Sequence, residues 1–140
     1  MNWEEGEVKT ITIAATAGNV ATTKTPGAGK KWKLLYGRIL LTCDATVTNR
    51  YIQINITTTG HGAVLAAVSG TTAITASQSK DFGYLPILPI NSTVPCPISN
   101  FSQAPLDFIV SGTDEIYTII SGGVVGDSYS GYLKVIELPA

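Results

Sequence analysis

One histidine, two cysteines and ten carboxylates are the side chains of this 140-residue chain best suited to metal binding and to acid–base work near neutral pH. The histidine, His61, sits in a Gly-His-Gly turn. A nucleophilic triad needs a base held rigidly beside its nucleophile, and a glycine-flanked turn is a poor place to hold one. A metal centre needs more ligands than one histidine and two distant cysteines supply. Paired carboxylates could arise only if Asp81, Asp107 and Asp114 met in space. Asp114 and Glu115 are adjacent, and neighbours on a strand point to opposite faces. No Asp/Asn/Gly loop of the calcium-binding type occurs. The residues therefore predict a protein that is not an enzyme and uses no cofactor and no metal.

Two further patterns concern binding. Thr25-Pro-Gly-Ala-Gly-Lys30-Lys31 has the look of a phosphate loop. The first glycine of that motif would fall on Lys24 and its Ser/Thr on Lys31, and no helix follows to aim amides at phosphate. A turn with solvated lysines accounts for it. Lys24, Lys30, Lys31 and Lys33 are four of the nine basic residues. They are either solvated strand-end lysines that blunt an edge or a basic docking patch. The complementary acidic segment is the N-terminal arm Met1–Glu7, with Trp3, Glu4, Glu5 and Glu7. The partner-binding residues expected from this reading are Trp3, Glu4, Glu5, Lys30, Lys31 and Lys33, with Trp3 as an aromatic anchor. Cys43 and Cys96 are read as two buried thiols, a single bridge between them being the alternative. The sequons at Asn55, Asn91 and Asn100 are ascribed to chance in so Thr-rich a chain.

The elements that must position these residues are strands. Thr occurs 18 times and Gly 14 times, with abundant Val and Ile. β-branched residues lose rotamer freedom on a helix and pack well on a pleated sheet, and glycines and prolines punctuate short strands. Charged residues make up 14%, against about 25% in ordinary folded domains. That depletion fits either an oligomeric or docking surface or a large core beneath a Thr-rich exterior. A net charge of −1 gives no footprint for nucleic acid. The apolar runs fall far short of the roughly 20 residues of a membrane helix. The acidic start has no apolar signal region, so the expectation is a chain made in the cytoplasm without signal-directed export.

Strands are expected at Val8–Ala15, Val20–Thr25, Lys31–Cys43, Tyr51–Thr57, Gly62–Val68, Thr71–Ser77, Phe82–Ile90, Leu106–Val110, Glu115–Ser121 and Tyr129–Leu138. Asn91–Pro105 reads as the main loop. In Tyr51–Thr57, Ile52, Ile54 and Ile56 alternate with Gln53, Asn55 and Thr57, which assigns the isoleucines to a core face. In Lys31–Cys43, strict alternation puts Trp32, Leu34, Tyr36, Arg38 and Leu40 on one face and Lys33, Leu35, Gly37, Ile39, Leu41 and Cys43 on the other. Gly37 is marked as a bulge or a close approach. With the turn Asp44–Asn49 between them, these two strands are expected to pair as a hairpin. The result is an arm over 1–7 and one domain over 8–140. Its fold class is all-β, an antiparallel β-sandwich of jelly-roll-like form.

The stretch Gly29–Ile54, GKKWKLLYGRILLTCDATVTNRYIQI, resembles a segment of small virion proteins of tailed bacteriophages. The pattern Leu106–Val110 through Tyr132–Leu138 is similar to their closing strands. The resemblance covers about half the chain and specifies no catalytic residue. It implies a capsid decoration or cement protein located on the virion. Such a protein acts as a homo-oligomer, commonly a trimer, with the major capsid protein as partner and neither nucleic acid nor membrane. A carbohydrate- or receptor-binding module, such as a head fibre or tail accessory, is the alternative. It would require aromatics and amides grouped at one exposed end of the sandwich.

Overall fold

The computed structural model describes residues 6–69, 73–85, 100–103 and 109–139, with backbone alone at 66–69, 81–85 and 100–103. Ten strands are present among them: β1 (Glu7–Ala17), β2 (Thr22–Lys24), β3 (Lys30–Thr42), β4 (Tyr51–Thr57), β5 (Val64–Ser69), β6 (Ser79–Leu85), β7 (Asn100–Gln103), β8 (Ile109–Ser111), β9 (Glu115–Ser121) and β10 (Ser128–Pro139). The one helical piece described is a 3-10 turn, Thr59–His61. One sheet has the order β1-β10-β3-β6-β7, with β8 also on β3, and the other has the order β2-β9-β4-β5. Successive strands cross from sheet to sheet except at the β4–β5 hairpin and the β6–β7–β8 stretch. The orders β1-β10-β3-β6 and β2-β9-β4-β5 are those of a jelly roll, two Greek keys folded into a sandwich. All pairings are antiparallel except β6 with β7.

The core explains the strand pattern. Ile52, Ile54 and Ile56 of β4 and Ile116 and Ile120 of β9 are at most 4% exposed, and they face Ile13, Trp32, Leu34, Ile39, Leu41, Leu133 and Val135 of the other sheet. Burying each such side chain contributes roughly 1.5–3 kcal/mol, so the alternation of β4 is enforced by the sheet above it.

Four expectations are corrected. The proposed hairpin of Lys31–Cys43 with Tyr51–Thr57 does not form. β3 pairs with β10, β6 and β8, whereas β4 pairs with β5 and β9. The connection between β3 and β4 is a crossover, because both strands bury one face and must lie opposite each other to share a core. Strict alternation in β3 also fails. Lys134 pairs with Tyr36 and Val135 with Leu34, leaving Leu35 as an extra residue. This β-bulge resets the parity. Trp32 and Leu34 therefore share the core face with Ile39, Leu41 and Cys43, and Tyr36 and Leu40 turn outward. Of Thr71–Ser77, the described part makes only the bridge Arg50–Ile74 and is not a strand. Within the expected loop Asn91–Pro105, Asn100–Gln103 is strand β7; residues 91–99 and 104–105 lie outside the described residues, as do Pro86 and Pro89.

Candidate functional site

At one end of the sandwich the loops between β1 and β2, β3 and β4, and β9 and β10 converge on Arg50. Its side chain is fully buried. Nε donates to Asp127 Oδ2 at 3.0 Å, and Nη2 donates to Asp127 Oδ1 and Asp44 Oδ1, each at 3.0 Å. Nη1 donates to the carbonyls of Thr46 and Thr48 at 2.9 Å. All five guanidinium hydrogens are thus used. Asp127 also accepts from the backbone N–H groups of Asp44 and Val124. Burial alone would raise the Asp127 carboxyl, but Arg50 and these two N–H groups outweigh it and hold it below its ordinary range. Gly122 is required nearby: its φ is +77°, and a Cβ there would stand 2.2 Å from the Asn49 carbonyl oxygen. Cys43, buried beside this cluster, has its thiol pushed up by burial. Cys96 lies outside the described residues. No sequence motif announced the Arg50 cluster. Arg50 and Asp127 are 77 positions apart, and the local cue was an arginine at the entry to an alternating strand.

The expected docking residues divide. Trp3, Glu4 and Glu5 lie outside the described residues. Glu7 already belongs to β1, opposite Glu137. Gly6 lies tight on β10, where a Cβ would come within 2.2 Å of Ile136 Cγ2. Lys30 approaches Glu137 Oε1 at 3.4 Å, next to Lys9 at 2.7 Å and Trp32 Nε1, which donates to Oε2 at 2.8 Å. Hydrogen bonds from Lys9 and then Trp32 hold the Glu137 carboxyl down to about 2, against a smaller opposing effect of burial. A groove of about 280 Å³ at this corner is lined by Glu7, Gly29, Lys30, Glu137, Leu138 and Pro139. Lys31 and Lys33 alternate with Trp32, so they point away from Lys30, toward the outer face of the six-stranded sheet.

Among these cations that outer face also exposes apolar side chains. Val8 is 60% exposed, Leu40 41% and Tyr36 37%. Tyr36 and Tyr132 meet edge to face at 6.2 Å, a favourable aromatic geometry. Between Tyr132 and Leu40 a hollow of about 170 Å³ is lined by Arg38, Ser130 and Gly131 as well. Gly131 is needed for closeness: a Cβ there would lie 2.0 Å from the Arg38 carbonyl oxygen.

The opposite end of the sandwich carries His61. Its ring stacks on Tyr117 at 3.9 Å, and Nδ1 lies 2.9 Å from Glu115 Oε2. Gly60 N–H donates to Glu115 Oε1. Thr57 Oγ1 and Glu115 Oε2 are buried with no hydrogen-bond partner, so the contact of His61 with Glu115 is close but not an aligned hydrogen bond. Among the described residues no group of three or more His, Cys, Asp or Glu side chains could hold a metal ion, and no helix is long and apolar enough to cross a membrane. Comparison of the chain with protein-family models, with curated proteins and with solved structures finds no match.

Proposed function

We propose that this chain is a structural, non-enzymatic protein of a tailed-bacteriophage virion, a capsid decoration or cement protein. It docks as a homo-oligomer on the major capsid protein and so stabilises the shell. The observation that carries the reading is the outer face of the six-stranded sheet. Val8, Tyr36, Leu40 and Tyr132 present apolar and aromatic surface there, in a chain with few charges. Tyr and Arg are enriched at interface centres, and Arg38 lines the hollow beside Leu40 and Tyr132. The virion setting and the trimeric number come from the resemblance of Gly29–Ile54 and the closing strands to small phage virion proteins.

The test is co-sedimentation of the purified chain with capsids that lack it, beside light scattering of the free chain. Binding and an oligomeric mass are expected. Leu40→Asp should weaken binding by about tenfold or more, as removal of one central apolar contact does, without changing the melting temperature. A monomer that binds no particle overturns the reading.

A further inference from the structure

We propose that the outer face of the other sheet, β2-β9-β4-β5, is a binding platform for a neutral oligosaccharide. Ile52, Ile54 and Ile56 turn into the core, so Tyr51, Gln53 and Asn55 line the outside of β4. Across the rungs stand Ser121, Ile119 and Tyr117 of β9, in register with Tyr51, Gln53 and Asn55. Aromatics and amides are thus grouped on one face, with an apolar centre at Ile119.

These side chains are half-buried, which restricts their rotamers before a ligand arrives. Yet among the described residues the amides of Gln53 and Asn55 and the hydroxyls of Tyr51 and Tyr117 make no hydrogen bond within the chain. A side-chain amide offers two donors and a two-lone-pair acceptor in one plane, the complement of adjacent sugar hydroxyls. A tyrosine ring offers an apolar surface to sugar C–H groups while its hydroxyl stays available. Side chains that recur every second residue are spaced roughly 6.8 Å apart along a strand. The row therefore suits an extended chain of sugar units more than a single small ligand.

Charge decides the class. The row from Tyr51 to Asn55 carries no ionisable carboxylate or cation. Glu115, at its end, is engaged by the Gly60 N–H and by His61. An anionic ligand would lose hydration here and gain no countercharge, so the neutral face matches a neutral polyol. The opposite outer face differs, since Arg38 and Lys134 lie on it among apolar groups. His61, stacked on Tyr117, closes the platform at one end.

The inference is independent of the docking reading, because it uses the other face. The experiment is an array of neutral and sialylated oligosaccharides probed with the purified full chain. Binding to neutral oligosaccharides is expected. Gln53→Ala and Asn55→Ala should each weaken it by roughly tenfold, the loss of a well-formed polar contact, with melting temperature and particle binding unchanged. The side-chain amide signals of Gln53 and Asn55 should shift when the bound oligosaccharide is titrated in. No glycan bound, only sialylated glycans bound, or binding that survives both substitutions overturns the inference. Loss of particle binding on Leu40→Asp with glycan binding intact separates the two faces.

Discussion

Strand β4 joins two ends of the sandwich that handle buried polarity in opposite ways. At its start, Arg50 has all five donors satisfied by Asp127, Asp44 and two carbonyls. At its finish, Thr57 is 2% exposed, and neither its hydroxyl nor Glu115 Oε2 has a hydrogen-bond partner. An unpaired buried polar group costs roughly 1–3 kcal/mol, whereas a satisfied pair is near neutral or favourable. The first end ties loops from distant parts of the chain into a rigid corner. The second keeps polar capacity in reserve under the turn Thr59–His61. The comparison teaches that burial alone does not tell a structural polar group from a spare one; the count of satisfied donors and acceptors does.

The largest effect should come from breaking the satisfied end. Asp127→Ala leaves the fully buried Arg50 short of its main partner. Breaking a buried ion pair this way costs about 3–5 kcal/mol, which lowers the melting temperature by on the order of 10 °C. Thermal unfolding followed by circular dichroism measures it. A change of a degree or two would mean that Asp44 and the carbonyls suffice, and that the end is not the tie described above.

Acid should act next, and at both ends. The folded carboxyls of Asp127 and Glu137 lie below their ordinary range, Glu137 at about 2 against 4.5. A lowered folded value means that the unfolded chain binds the proton first as pH falls. The stability from these groups is complete above about pH 4.5 and declines as pH falls toward 2. Denaturant titrations at pH 6, 4 and 3 should show falling stability for the native chain and a shallower fall for Glu137→Gln. Parallel slopes would remove Glu137 from the account.

The smallest effect belongs to the unsatisfied end. Thr57→Val deletes a buried hydroxyl that has no partner, and stability should stay level or rise by up to about 1 kcal/mol. A clear loss in the same thermal assay would show that the Thr57 hydroxyl is satisfied in solution, and would erase the contrast between the ends.

Legibility in the sequence tracked how local each cause was. β4 and β9 were read to the residue, as Tyr51–Thr57 and Glu115–Ser121, because one buried face imposes period-2 alternation on the chain itself. The outward row Tyr51, Gln53 and Asn55 was legible for the same reason. Tyr36 and Leu40 were not legible as outward residues that part from Trp32 and Leu34. Their parity depends on the bulge at Leu35, and that bulge exists only in the register of β3 against β10.

What the sequence by itself determined is the all-β sandwich class, the core face of β4 and the poverty of catalytic side chains, since composition and alternation are properties of the chain alone. The tertiary structure alone decided which strands are neighbours, the crossover that replaces the β3–β4 hairpin, and the Arg50–Asp127 tie. Each of these rests on contacts between residues tens of positions apart, whose energies appear only when two sheets close on one core.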